Sequence, residues 1–185
     1  MHHELQIDHS TEHEPLATAP EALAPSVLSE DLALSQLINR EITADAIEKI
    51  TQSAGIMKSR KVRMALAAHP RTPRRIALRV IRELYTFELM RLALLPGTAG
   101  DLRRVADEFL LSRLSSITLG ERISLARRSC GRIAGALLLD KETPVWQAAL
   151  ANPRLNESAI VKALQRSTAV PAFVESVSHH ARQTH

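Results

Sequence analysis

Apolar residues recur along most of the chain at intervals of three and four, the spacing of an α-helix that buries one face. In the segment RRIALRVIREL, the side chains of Ile76, Val80 and Leu84 fall on one face at about 100° per residue. No long run of Val, Ile and Thr alternates with polar residues at a period of two, as a sheet would require. The pattern therefore predicts an all-α protein.

Capping residues divide the apolar pattern into short helices. Ser29 and Thr43 each precede an apolar-periodic segment, and an N-cap hydroxyl can accept a hydrogen bond from an amide of the first turn. Gly55 is expected to close the helix that Thr43 opens, because glycine fits the left-handed conformation after a helix end. Thr118 followed by Glu121 predicts a capping box at the start of another helix.

The most informative segment is VRMALAAHPRTP, residues 62–73, which predicts a helix, a proline stop and the cap of a second helix. Pro70 ends the first helix, while Thr72 as N-cap and Pro73 at the first helical position start the next. His69, just before the stop, is expected to form hydrogen bonds in the turn. A hairpin this short cannot bury its own apolar face, which raises the question of whether it is repeated.

Related segments follow along the chain. LMRLALLPGT at residues 89–98 keeps the proline and the threonine, and QAALANPR at residues 147–154 has Asn152 in the position of His69. Asn156 is the predicted cap of the helix after this third copy. A fourth, more divergent hairpin includes GRIAGALLLD, whose G-x-x-x-G at residues 131–135 predicts close packing between repeats.

The pattern V-R-x-A-L-A-x-H-P-x-T-P at residues 62–73 resembles the bacterial leucine-rich repeat variant, a short relative of the HEAT repeats. The resemblance is close over this segment and looser across residues 40–180. It implies a right-handed α-solenoid of roughly four to five short helical hairpins. Members of the family serve mostly as binding scaffolds, so the resemblance implies a non-catalytic protein that binds a partner on its curved surface.

Composition predicts three segments. Residues 1–26 mix His, acids and spaced prolines with few large apolar residues, which predicts a disordered tail. Residues 27–180 form the predicted helical repeat domain, and residues 181–185 a flexible C-terminal tail. Residues 1–39 hold seven acids and no Lys or Arg, whereas the rest of the chain holds 24 bases and 13 acids, a net charge of +11. That balance favours anionic partners, and the acidic tail could compete with them.

Arginines lie opposite the apolar face of the helix that begins near residue 74, with Arg75, Arg79 and Arg82 at i, i+4 and i+7. We call the following set the arginine ridge: Arg63, Arg71, Arg74, Arg75, Arg79, Arg82, Arg128 and Arg132. A ridge of this kind is expected to pair with acidic groups of a partner protein. Two alternatives are phosphates of a nucleic acid and an ordinary solvated helix face.

Other arginines have a different environment in the sequence. Asp107 and Glu108 lie four residues after Arg103 and Arg104, which favours ion pairs within one helix. A second group has few acids nearby besides Glu121 and is predicted to continue the arginine ridge on the next hairpin: Arg122, Arg127, Arg128 and Arg132. The alignment of the two groups depends on the superhelix, which the sequence does not determine.

Trp146 is the only tryptophan, and it lies at the start of a predicted helix. It is a candidate anchor for a partner protein or a base, although packing across a repeat boundary is the simpler interpretation. With Asp140 it is also similar in kind to the aromatic and acidic pair that lines the basic groove of HEAT-like DNA glycosylases. That similarity gives a third hypothesis, glycosylase-like catalysis.

The sequence otherwise predicts no enzyme, no cofactor and no metal site. It contains no P-loop, no glycine-rich dinucleotide fingerprint and no G-x-S-x-G, and Cys130 is its only cysteine. The spaced histidines His9 and His13 and the pair at residues 179–180 fall near the ends of the chain, and neither group supplies the three or four ligands of a zinc site. No stretch of 18 apolar residues and no signal pattern occur, so we expect a cytoplasmic location without membrane contact.

Overall fold

A computed structural model of the chain describes residues 28–166 and 171–183, and this part of the chain is all-helical, without strands. Its twelve helices are α1 (Glu30–Ile38), α2 (Ala44–Gln52), α3 (Ala54–Met57), α4 (Arg60–Ala68), α5 (Arg74–Arg82), α6 (Thr86–Leu94), α7 (Gly100–Arg113), α8 (Leu119–Arg128), α9 (Gly131–Leu137), α10 (Thr143–Leu150), α11 (Glu157–Leu164) and α12 (Pro171–Gln183). The predicted all-α class is confirmed. The predicted N-terminal tail lies outside the described residues, and α12 continues beyond residue 180.

Four of the predicted N-caps are confirmed. The side chains of Ser29, Thr43, Thr118 and Asn156 each accept a hydrogen bond from a backbone amide in the first turn of α1, α2, α8 and α11. Glu121 completes the predicted capping box of α8, since its carboxylate accepts from the Thr118 backbone amide at 3.0 Å. These contacts fix where the helices begin.

Two other cap predictions are wrong. Gly55 does not close α2, because Ser53 ends that helix with an extended backbone and Gly55 lies inside α3. Thr72 is not the N-cap of α5, since Pro73 takes that position and α5 begins one residue later. The Thr72 hydroxyl is instead buried, without a hydrogen-bond partner among the described residues.

The helices lie in two rows, joined by contacts between neighbours. The first row has two parts: α4 packs on α1 and α6, and α10 packs on α8 and α12. In the other row α5, α7, α9 and α11 pack on one another in chain order. Contacts of α4 with α5, α6 with α7 and α8 with α9 join the rows.

Branched aliphatic side chains from both rows fill the core. Fully buried examples from α4 to α9 are Leu66, Ile81, Leu89, Leu110, Leu125 and Ile133. Each such side chain stabilises the fold by about 1.5–3 kcal/mol relative to an exposed position. One core cluster contains buried residues from α1 to α12. Most of the charged side chains therefore lie on the outer faces of the helices.

A recurring turn joins the rows. His69 and Asn152 each follow a helix of the first row, and each accepts a hydrogen bond from the backbone amide two residues later, at 3.2 Å and 2.8 Å. Each also reaches a backbone carbonyl of the preceding hairpin: His69 Nε2 lies 3.3 Å from the Asn39 oxygen, and Asn152 Nδ2 donates to the Ala126 oxygen at 2.8 Å. The predicted equivalence of the two positions and the turn role of His69 are confirmed.

Candidate functional site

The arginine ridge is largely neutralised by acids of neighbouring hairpins. The ion pairs are Arg71 with Glu41, Arg74 with Asp101 and Arg75 with Glu48. Each joins one hairpin to the next, and an exposed pair of this kind contributes about 0–1 kcal/mol. These three arginines therefore already face acids of the same chain, which lowers the net positive charge that the ridge offers to a partner.

Two further members of the ridge also face acids. Arg63 is mostly buried, with a side chain 14% exposed, and its Nη1 lies 3.5 Å from Glu83 Oε2. Arg132 is exposed, and its Nη2 lies 4.0 Å from Glu108 Oε1, at the outer limit of an ion pair. Arg63 is unavailable to a partner, whereas Arg132 keeps most of its donors free.

Three members of the ridge make no ion pair within the described part of the chain. Arg79 and Arg82 lie exposed on α5. Arg128 lies over the ring of Phe87, with its guanidinium carbon 5.7 Å from the ring centroid, a cation–π contact between α8 and α6. Arg79 and Arg82 therefore retain the character that the sequence predicts for the ridge.

Trp146 lies in the core, 4% exposed, with its ring edge-on to Phe173 at 5.4 Å between centroids. Asp140 forms an ion pair with Arg122, 2.8 Å from Oδ2 to Nε, although this N–H makes no hydrogen bond of good geometry. Both of these charged side chains are more than four-fifths buried. Arg122 therefore does not continue the ridge, and Trp146 does not line the cavity beside Asp140.

The predicted ion pairs of Arg103 and Arg104 within α7 are absent from the described residues. Asp107 instead accepts a hydrogen bond from Cys130 Sγ at 3.2 Å, and Glu108 faces Arg132. Packing of α9 on α7 turns both acids toward α9. Burial raises the pKa of Asp107 and, together with the neighbouring carboxylate, raises the pKa of Cys130. The thiol is therefore a protonated donor at neutral pH.

An open groove of about 640 Å³ lies between α9 and α11, and we call it the basic groove. Its floor consists of small residues: Gly131, Gly135, Ala136, Ala159 and Ala163. Three basic side chains line it, namely Arg132, Lys162 and Arg166, and none of the described residues that line it is acidic. Lys162 and Arg166 make no ion pair in the described part of the chain.

Glycines set the separation of the two helices. A methyl group on Gly131 would collide with the backbone oxygen of Arg154, and one on Gly135 would lie 2.9 Å from Cβ of Ala159. The close packing that the G-x-x-x-G pattern predicts is confirmed. Because the glycines bring α9 against α11, the longer basic side chains of both elements converge on one groove.

Lys162 and Arg166 are candidate site residues that the sequence analysis missed. The signal was present, because Ser158, Lys162 and Arg166 are spaced at i, i+4 and i+8, which would place them on one side of a helix. In the structure α11 ends at Leu164, and Arg166 lies just after the helix end. Their meeting with Arg132 depends on how α9 packs against α11, which no local pattern encodes.

The described residues hold neither a metal-binding cluster nor a membrane span. No group of three or more His, Cys, Asp or Glu side chains there could hold a metal ion, and His9 and His13 lie outside that range. Within the same range, no helix combines the length and the apolar character needed to cross a membrane. No family model, curated protein or solved structure matches the chain.

Proposed function

We propose that this chain is a non-catalytic helical-repeat scaffold, a right-handed α-solenoid of the leucine-rich repeat variant kind, which binds an acidic segment of a partner protein. The observation that supports this function best is the basic groove, where Arg132, Lys162 and Arg166 converge and no lining residue is acidic. The continuous packing of α5, α7, α9 and α11 in chain order, together with the α4–α5, α6–α7 and α8–α9 contacts, supports the solenoid. A cytoplasmic location remains part of the proposal.

The chemistry of the groove favours carboxylates spaced along an extended segment. Arg132 and Arg166 offer planar forks that suit bidentate contacts with carboxylates, and Lys162 adds a compact charge to the same groove. The floor of glycine and alanine leaves room for the backbone of the bound segment. Arg79 and Arg82 also offer positive charge, but they lie on an exposed helix face and not in a groove.

The groove is built on elements that need little rearrangement. Asn152 ties the turn before α11 to α8 through hydrogen bonds to two backbone carbonyls, at 2.8 Å and 3.1 Å. Gly131 lets α9 approach the turn before α11, and Gly135 lets it approach α11 itself. Because little has to be ordered on binding, more of the contact energy is available for affinity.

A nucleic acid is the second candidate ligand, favoured by one observation: Arg79 and Arg82 are exposed and make no ion pair in the described residues. Phosphate binding there would fall steeply with salt concentration. The ion pairs of Arg71, Arg74 and Arg75 with acids leave a short basic patch where a longer one was predicted. We therefore propose an acidic protein segment, rather than a nucleic acid, as the ligand.

Fluorescence anisotropy of a labelled peptide of alternating Glu and Ala residues tests the proposal. The variant Lys162→Glu/Arg166→Glu reverses two charges of the groove, and the control Lys61→Glu/Arg91→Glu makes the same changes at exposed positions on α4 and α6. We expect the groove variant to weaken binding about tenfold or more, since each reversal replaces an attraction with a repulsion. The control should retain the affinity of the wild-type chain.

Equal affinities of the two variants would contradict the proposed site. A duplex DNA probe, run in parallel at two salt concentrations, tests the second candidate. DNA binding that exceeds peptide binding and depends on Arg79 and Arg82 would replace the proposed function. Circular dichroism of each variant verifies that helicity is unchanged, as expected for substitutions of exposed side chains.

A further inference from the structure

The chain contains its own acidic segment. Residues 1–27 hold five acids and no Lys or Arg, namely Glu4, Asp8, Glu12, Glu14 and Glu21, and all 24 bases follow residue 39. The charge of this segment complements the basic groove. It also has the composition that the proposed function requires of a partner.

Several of the other basic side chains already face acids. Arg71, Arg74 and Arg75 pair with acids of neighbouring hairpins, and Arg122 pairs with Asp140. Among the cavities of the described residues, the basic groove brings three bases together without a lining carboxylate, and Lys162 faces no acid within 4 Å there. An acidic segment of the same chain therefore gains the most electrostatic attraction by binding at this groove.

The segment is long enough to reach the groove. About 27 residues in extended form span up to roughly 90 Å. From α1 to α11 the shortest series of helix contacts has five steps (α1–α4, α4–α5, α5–α7, α7–α9 and α9–α11) of roughly 8–10 Å each, or about 40–50 Å. Tethering at this length gives an effective concentration on the order of millimolar, so even weak ionic contacts suffice.

We propose that the acidic segment of residues 1–27 binds in the basic groove of its own chain and covers it until a partner displaces it. The displacement rests on the proposed function, whereas the intramolecular contact does not. The segment then acts as a competitor that sets a threshold: only a partner with higher charge or better fit gains access. Sodium chloride weakens the contact, because its contribution is ionic.

Cross-linking of the full chain with a zero-length carbodiimide, which joins a carboxylate to a lysine amine, tests this contact. The five lysines provide internal controls, since Lys162 lines the groove while the others lie exposed elsewhere, at positions 49, 58, 61 and 141. Mass spectrometry should find links from residues 1–27 concentrated on Lys162. Links spread evenly over all five lysines would overturn the inference.

A second variant separates the groove from the mere presence of a reactive lysine. Arg132→Gln/Arg166→Gln keeps Lys162 but removes its two basic neighbours, and links to Lys162 should fall several-fold. An unchanged yield, or links that appear only between two copies on a denaturing gel, would contradict the intramolecular contact. A variant of the full chain in which the five acids of residues 1–27 are changed to Gln or Asn exposes the groove to the free peptide. Selective links in the wild-type chain, with no peptide binding to this variant, would uphold this inference and overturn the proposed function. Peptide binding to this variant without selective links in the wild-type chain would do the reverse.

Discussion

Asn152 shows how much of the fold depends on a single polar side chain. It is buried, and its amide satisfies three backbone groups: the carbonyls of Ala126 and Ser129 and the amide of Arg154. His69 makes the corresponding contacts three hairpins earlier with longer distances. The sequence indicated the equivalence of these positions through the shared proline, but it did not indicate the carbonyl partners, which come from other helices.

Asn152→Ala should lower the free energy of unfolding by about 2–4 kcal/mol, because it leaves buried backbone groups without partners. Asn39→Ala is the matched control. Asn39 is exposed, and its side chain accepts one hydrogen bond, from the Glu41 backbone amide at 2.9 Å. Loss of this hydrogen bond should lower the free energy of unfolding by less than about 1 kcal/mol. Urea unfolding measures both, and equal losses would contradict the role of Asn152.

Asp107 makes stability depend on pH. Burial raises its pKa above the ordinary value of 3.8, so the folded protein binds this proton more tightly than the unfolded chain does. The resulting contribution to stability is present below the unfolded pKa and is lost as the pH rises through the folded pKa. Asp107→Asn should remove this loss, which urea unfolding at several pH values above about 3.8 would detect. If the difference in free energy of unfolding between the wild-type chain and the variant did not change with pH, the raised pKa of Asp107 would be contradicted.

At the scale of the helix, the periodic apolar positions predicted the elements and their caps well, because both signals are local. Thr43, Thr118 and Asn156 cap the helices that they were expected to cap. Gly55 was misassigned because glycine also occurs inside helices, and Ser53 ended α2 first. Local patterns do not distinguish these outcomes, since an extended residue can end a helix without a positive φ.

Gly131 has no side chain, which lets the start of α9 lie close to the turn before α11. Gly131→Ala should destabilise the fold by about 1–3 kcal/mol, because the added methyl group meets the rigid backbone of Arg154. Gly120→Ala is the control, as nothing lies within 4 Å of the place that its methyl group would occupy, and it should stabilise α8 by up to about 1 kcal/mol. Thermal unfolding that shifts both variants in the same direction would contradict this account of α9 and α11.

At the scale of the molecule, the arrangement of charge differs from the prediction. The sequence correctly placed Arg75 and Arg79 on the polar face of α5, yet Glu48 on α2 neutralises Arg75. Sequence distance conceals such pairs, because they form between hairpins and depend on the packing of the rows. For the same reason the basic groove, whose walls are about 30 residues apart in the chain, was not predicted.

The most direct test of the central claim is an NMR titration of the isotopically labelled full chain with the acidic peptide. We predict that the largest amide shift changes will cluster in residues 131–139 and 156–166, the two walls of the basic groove. The unchanged core of α4 and α5 serves as the internal reference. Changes that cluster on α5 around Arg79 and Arg82, or that spread evenly over the exposed bases, would contradict the claim.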